Sequence, residues 1–101
     1  MTVNQNILIS ALTNELPVLR ARLSMSQEEI AKAIGVSRQT YGSIETKKRD
    51  MSWTVFVALI GFFQQNSRTA LMLEQIPNFK EALINAFEKF DKANETNQVD
   101  I

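Results

Sequence analysis

The chain of 101 residues contains neither cysteine nor histidine. These absences exclude disulfides, thiol chemistry, the usual zinc ligands and the commonest general base. A glycine-rich phosphate loop is missing as well. The adjacent carboxylates Glu28 and Glu29 lie about 100° apart in a first helical turn, where helix capping already accounts for Glu29. We therefore expect no enzymatic activity and no cofactor.

Long apolar runs are also missing. The longest, residues 55–63, is far shorter than the roughly 20 residues that cross a bilayer. The N-terminus lacks a basic stretch followed by an apolar signal core. The length is enough for one hydrophobic core but not for two. We expect a single cytoplasmic domain with a short appendage.

The charge is balanced overall but unevenly placed. The formal net charge is zero, which by itself argues against nucleic acid, because DNA affinity comes largely from lysine and arginine at phosphates. Residues 37–49 nevertheless carry four cations against one anion, whereas residues 74–101 carry three cations against six anions. This asymmetry is compatible with a local basic face.

Local signals predict two short helices joined by a tight turn. Ser26 and Glu29 have the spacing of a capping box, so a helix should begin after Ser26. Gly35 can adopt the left-handed conformation that ends a helix. Ser37 can cap a second helix only two residues later.

The flanking segments are also helical in pattern. Upstream, a leucine stripe with helical spacing consists of Leu12, Leu16, Leu19 and Leu23. Its helix begins either at an Asn14 cap, with Pro17 in the tolerant first turn, or near Asn6, in which case Pro17 should kink it.

Downstream, the pattern predicts three more helices and a tail. Ser52 caps a helix to about residue 63, a short helix covers residues 69–75, and a last helix opens at residue 78 and runs to about residue 93. Residues 94–101 are polar and should be frayed. No strand pattern competes, so the predicted fold class is all-α.

The second short helix, residues 37–46, has one polar face. On a helical wheel Thr40, Tyr41 and Ile44 fall on one side. The other side carries Arg38, Gln39, Gly42, Ser43 and Thr46. Arginine can bind the O6/N7 edge of guanine and glutamine the N6/N7 edge of adenine. Gly42 lacks a side chain in the middle of this face, which indicates either very close approach of DNA to the backbone or a lost contact.

The segment QEEIAKAIGVSRQTYGSIET, residues 27–46, resembles the helix-turn-helix of the lambda-repressor-like family, also called the xenobiotic-response-element type. The matching positions are Ala31 between the helices, Gly35 in the turn, and the inward Ile30, Ile34, Val36 and Ile44. With the flanking helices the resemblance covers about residues 12–64. It implies a five-helix DNA-binding domain, which we place at residues 1–68, with a C-terminal helical extension at residues 69–93.

The resemblance also implies how the domain docks. Residues 37–46 would lie in the major groove of double-stranded DNA, while the helix opened by Gln27 crosses the backbone. Gln27 would meet a phosphate and brace a recognition-helix side chain, here Gln39. The predicted DNA-binding residues are Gln27, Ser37, Arg38, Gln39, Thr40, Gly42, Ser43 and Thr46, with Lys47, Lys48 and Arg49 as phosphate contacts in the following loop.

The C-terminal extension is predicted to pack and dimerise. Apolar residues at helical spacing there are Phe79, Leu83, Phe87 and Phe90. They can cover the fourth helix, which is apolar on nearly every side. They can also form a homodimer, because paired half-sites about 34 Å apart suit a two-fold assembly.

The favoured function is a sequence-specific transcriptional regulator of bacterial or phage type, with repression as the favoured direction and an operator as the partner. The alternative keeps the fold but assigns a protein partner. In that reading the chain is an antitoxin or an anti-repressor that binds through its acidic C-terminal helix, and Gly42 and the zero net charge are its support.

Overall fold

The computed structural model describes residues 3–85 and contains five helices in full. They are α1 (Val3–Arg22), α2 (Gln27–Ile34), α3 (Arg38–Glu45), α4 (Trp53–Gln64) and α5 (Ser67–Glu74). Residues 79–85 are helical again, and no strand occurs within residues 3–85. The all-α prediction is confirmed. Two predictions fall outside the described residues. They are the helix at residues 86–93, with Phe87 and Phe90, and the frayed tail at residues 94–101.

The predicted helix caps are confirmed at three positions. Ser26, Ser37 and Ser52 each adopt an extended backbone and accept a hydrogen bond from the amide three residues later. Gly35 ends α2 with a φ of 79°, in the region that favours glycine. Local chemistry alone therefore defines both ends of α2 and the starts of α3 and α4.

The start of α1 differs from one of the two expectations. The helix is already formed at Val3, so Asn14 and Pro17 lie inside it and the Asn14 cap is wrong. Pro17 has no amide hydrogen, which leaves the carbonyl of residue 13 without its helical donor. Leu8 and Ile9 are 1% and 9% exposed, and their burial outweighs the local preference for a later start. The predicted kink at Pro17 stays a prediction.

A single core joins all the elements. Helix α1 packs against α3, α4 and α5, and α2 packs against α3 and α4. The largest fully buried side chains include Leu12, Leu16, Leu19, Ile30, Tyr41, Ile44, Phe56, Leu59 and Phe63. Within residues 3–85, no helix has both the length and the apolar content that a membrane span requires. Burial of one face of α3 in this core directs its opposite face outward.

One residue expected at a dimer surface lies in the core instead. Phe79 is 4% exposed, and its ring centroid lies 6.2 Å from that of Phe56. Leu83 is half-buried and packs against the same core. Packing within the chain therefore leaves little of Phe79 exposed for a second protomer, and its contact with a second protomer stays a prediction. The covering of α4 by the C-terminal segment is confirmed at Phe79.

Candidate nucleic-acid interface

The turn between α2 and α3 is closed by backbone and side-chain hydrogen bonds. The Gly35 amide donates to carbonyls of the last turn of α2, and the Val36 amide donates to the carbonyl of Ala31 at 3.0 Å. Tyr41 and Ile44 are 0% and 2% exposed. Because these two side chains anchor α3 to the core, the opposite side of α3 must face solvent.

The outward side of α3 forms an open groove together with the start of α2. Its lining residues, which we call the reading groove, are Gln27, Arg38, Gln39, Gly42, Ser43, Thr46 and Lys48. Arg38 and Gln39 are exposed, and Gly42 and Ser43 are half-buried. The structure therefore brings seven of the residues predicted to bind DNA into one surface.

Three other predicted residues are linked at the first turn of α3. The Ser37 hydroxyl donates to Thr40 Oγ1 at 2.8 Å and accepts from the Thr40 amide at 3.0 Å. Arg49 donates from Nη1 to the same Thr40 oxygen at 3.2 Å. Arg49 thus lies beside the N-terminal turn of α3, although it follows the C-terminus of that helix in sequence.

The loop after α3 folds back on its last turn. The amides of Lys48 and Arg49 both donate to the carbonyl of Ser43, at 2.8 and 3.1 Å. Thr46 donates from Oγ1 to the carbonyl of Gly42 at 2.9 Å, and Lys47 has a φ of 66°, a conformation that disfavours non-glycine residues. These contacts hold the exposed basic residues 47–49 next to the reading groove.

A partly buried ion pair lies behind the reading groove. Arg20, near the end of α1, donates from Nε and Nη2 to the two carboxylate oxygens of Glu45 at 3.1 and 2.9 Å. The side chains are 25% and 7% exposed. Arg20 also donates to the carbonyl of Met25 at 3.0 Å. Sequence reasoning did not identify this pair, although Glu45 stands out as the lone acid among residues 37–49.

The ion pair sets the charge state of Glu45. Burial alone would raise the pKa of this carboxyl, but hydrogen bonds, that from Arg20 foremost, outweigh burial and hold the pKa below its usual value. Burial is the largest cause that raises the pKa of Tyr41, and the neighbouring Glu45 is the next largest. The Tyr41 hydroxyl is buried and has no hydrogen-bond partner in the described part of the chain. Glu45 is therefore an ionised acceptor, and Tyr41 remains neutral.

Gln27 contacts a different residue from the one expected. Its amide donates from Nε2 to Glu45 Oε1 at 3.4 Å, so its partner on α3 is Glu45 and not Gln39. A Cβ atom added to Gly42 would lie 3.2 Å from Gln27 Oε1. The sequence suggested that Gly42 marks either close approach of DNA or a lost contact, and neither explanation includes this contact with Gln27. The Gln27 carboxamide occupies the space beside Gly42.

Glu29, one of the two adjacent acidic residues at the start of α2, completes a helix cap. The Glu29 carboxylate accepts from the Ser26 amide at 2.9 Å and completes the capping box. That backbone hydrogen bond is the largest cause that lowers the pKa of Glu29, and a hydrogen bond with the Ser26 side chain is the next largest. No group of three or more acidic residues suited to hold a metal ion occurs within residues 3–85. Glu29 therefore has a structural role at the start of α2.

Comparison with known proteins agrees with this geometry. Residues 19–64 match the family model described as Helix-turn-helix. Over 50 residues the chain is 42% identical to an uncharacterized HTH-type transcriptional regulator of Methanocaldococcus jannaschii, and the match covers 50% of this chain and 76% of that protein. No solved structure gives a significant match. The matched residues 19–64 contain Arg20, Glu45 and the whole reading groove.

Proposed function

Because the chain belongs to the lambda-repressor-like helix-turn-helix family of DNA-binding transcriptional regulators, we propose that it recognises a specific double-stranded operator with α3 in the major groove. The observation that carries the proposal is the outward polar face of α3, held in place by buried Tyr41 and Ile44. A recognition helix needs this combination, because its position must be fixed while its reading side chains stay accessible.

Arg38 and Gln39 are the proposed base-reading residues. Both are exposed and lie in the first turn of α3, the part of a recognition helix that contacts base edges in this class of motif. Each can make a pair of hydrogen bonds to a purine, worth about 1–3 kcal/mol of discrimination. Ser43 and Thr46 line the same groove and can add single contacts.

Lys47, Lys48 and Arg49 are the proposed phosphate contacts. They are exposed and follow α3 directly, and the Arg49 hydrogen bond to Thr40 orders one of the three in advance. Phosphate contacts fix the register of a protein on the duplex without reading sequence. A local cluster is sufficient for this role, so the zero net charge of the chain does not oppose it.

The proposed mode of action is repression in the cytoplasm by occupation of a promoter, with the protein bound as a homodimer. Phe79 is buried in the single chain, so within the described residues the proposed dimer surface centres on Leu83 and its neighbour Ile84, which is 48% exposed. Sedimentation at micromolar concentration, with and without operator DNA, tests the assembly. A strict monomer in both conditions contradicts the dimer.

Selection of bound sites from random double-stranded DNA tests the proposed function. We expect the parent protein to enrich one sequence, and the variants Arg38→Ala and Gln39→Ala to lose base preference at separate positions while remaining folded. Arg68→Ala and Gln64→Ala are matched controls, because they remove the same residue types from exposed positions on α5 and α4. These controls should select the parent sequence.

Binding at about 150 mM salt is the second readout, because specific complexes survive screening that removes binding by charge alone. A parent protein that enriches no sequence contradicts the proposal and favours the protein-partner alternative. That alternative has lost one of its supports, since Gly42 accommodates Gln27 and need not mark an abandoned contact.

A further inference from the structure

We propose that Gln27, a residue of α2, supplies the central hydrogen-bond acceptor of the reading groove through the space left open by Gly42, and that it selects a base with an amino group. This inference rests on the proposed DNA-binding function and adds a specificity-determining residue to it. It replaces the expectation that Gln27 is mainly a phosphate contact.

Gly42 leaves room for the carboxamide of Gln27. Gly42 lies inside α3, where glycine is disfavoured relative to alanine. A Cβ atom at this position would lie 3.2 Å from Gln27 Oε1 and 3.8 Å from its Cδ. The first distance is shorter than ordinary van der Waals contact, so an alanine would require the carboxamide to shift by a few tenths of an ångström. The carboxamide of Gln27 therefore packs directly against the position that a side chain at residue 42 would occupy.

Glu45 determines which end of the Gln27 amide faces the groove. Glu45 is ionised and holds both its oxygens toward Arg20, so it can only accept hydrogen bonds. The amide atom next to Glu45 must therefore be Nε2, which lies 3.4 Å from Oε1 of Glu45. Arg20 and Glu45 thus act as positioning residues, which turn the donor end of Gln27 inward and leave Oε1 beside Gly42.

An acceptor at this position can recognise only some of the bases. In the major groove only adenine, through N6, and cytosine, through N4, present hydrogen-bond donors. Guanine and thymine present acceptors at the corresponding positions, which would repel Oε1. Phosphate oxygens are acceptors too, so this orientation of Gln27 suits a base edge better than the backbone. Gln27 lines the same open groove as Arg38 and Gln39, which makes a shared base-reading surface.

The experiment compares three variants in the selection from random DNA. Gln27→Met keeps the length of the side chain but removes the acceptor. Gly42→Ala places a methyl group against Oε1. Gly61→Ala is the matched control, because a Cβ atom there meets nothing within 4 Å and the change gives a similar gain in helix propensity inside α4.

We expect Gln27→Met to lose about tenfold of the preference for adenine or cytosine at one operator position. Gly42→Ala shifts Oε1 by only a few tenths of an ångström, so it should lose a smaller part of the preference at the same position. The affinity of both variants for unrelated DNA should stay within about twofold of the parent, since non-specific binding depends on phosphate contacts. Gly61→Ala should select the parent operator unchanged.

Two results would overturn the inference and leave the proposed function intact. One is a uniform loss of affinity in Gln27→Met for all sequences, which would make Gln27 a phosphate contact. The other is a Gln27→Met variant that selects the parent operator with unchanged preference at every position. If the parent protein itself selects no sequence, the proposed function fails and the inference fails with it.

Discussion

Arg20 and Glu45 lie 25 residues apart in sequence and are joined by two parallel hydrogen bonds of 3.1 and 2.9 Å. The pair connects the last turn of α1 with the last residue of α3. A bidentate contact of this kind restricts orientation as well as distance. It therefore fixes the end of the proposed recognition helix against the body of the domain, and through Glu45 it also holds Gln27.

Separating this pair should destabilise the fold strongly. Arg20→Met leaves Glu45, whose side chain is 7% exposed, without its partner. Because Arg20 is itself 25% exposed, we expect a loss of about 2–3 kcal/mol in the free energy of unfolding, below the range for fully buried pairs. Urea denaturation measures it. The double variant Arg20→Met/Glu45→Met should lose less than the sum of the two single variants, whereas additive losses would show that the two residues do not interact.

The same carboxylate should make stability dependent on acid pH. The pKa of Glu45 is lowered in the folded protein, so its contribution is present above the unfolded value of about 4.3 and is lost as pH falls through the lower folded value. Unfolding free energies of the parent and of Glu45→Gln, measured from about pH 6 down to about pH 2, should therefore converge as the pH falls. Glu29 also has a lowered pKa, but because both proteins contain it, its contribution cancels in the difference between their unfolding free energies. Parallel pH profiles would contradict the role assigned to Glu45.

The parts of the fold that the sequence could predict are those set by local chemistry. Ser26 with Glu29 at the start of α2, Gly35 in the turn and Ser37 at the start of α3 each act within about one helical turn, so their spacing alone defines the motif. The outward face of α3 in the reading groove could also be predicted from local sequence. A helical wheel separates Tyr41 from Arg38 and Gln39 without any knowledge of the rest of the chain.

The parts that the sequence could not predict depend on distant contacts. The sequence left two starts open for α1, and the one at Asn14 is wrong because the burial of Leu8 and Ile9 outweighs the local signal at Asn14. The Arg20–Glu45 pair and the fit of Gln27 beside Gly42 need the crossing of separate helices. An apolar stripe such as the one that contains Phe79 does not show whether the same chain, a second chain or both cover it.

Tyr41→Phe should be tolerated at neutral pH. The Tyr41 hydroxyl is buried without a hydrogen-bond partner in the described part of the chain, so removing it leaves no other group unpaired. We expect a result between no change and a gain of about 1 kcal/mol in unfolding free energy. A loss greater than about 1 kcal/mol would show that the hydroxyl does bind a neighbour, with Glu45 the first to be tested.

The dependence of stability on alkaline pH gives an independent check on Tyr41. Burial raises the pKa of Tyr41 in the folded protein, so above the ordinary tyrosine pKa of about 10 the unfolded chain loses this proton before the folded one does. The contribution of Tyr41 is therefore present below that pH and is lost as the pH rises. Tyr41→Phe should lose less stability than the parent between about pH 9 and pH 11, and equal losses would place the hydroxyl in contact with solvent.

The basic residues that follow α3 should determine the salt dependence of DNA binding. Replacing Lys47, Lys48 and Arg49 by alanine removes three cations that are exposed next to the reading groove. Each phosphate contact contributes about 0.9 to the slope of log affinity against log salt, so we expect the slope to become shallower by up to about three units. Binding to a labelled operator between about 50 and 200 mM salt measures it.

The triple variant needs a control, because any loss of positive charge weakens DNA binding to some extent. Arg68→Ala with Lys80→Ala removes two exposed cations from α5 and from residues 79–85, which lie outside the reading groove, and it should leave the slope nearly unchanged. The three residues also need not contribute equally. The Arg49 side chain is already held by Thr40, so it loses less freedom on binding a phosphate than an unrestrained side chain would. Arg49→Ala alone should therefore weaken binding more than Lys47→Ala, and a triple variant with an unchanged slope would remove all three from the interface.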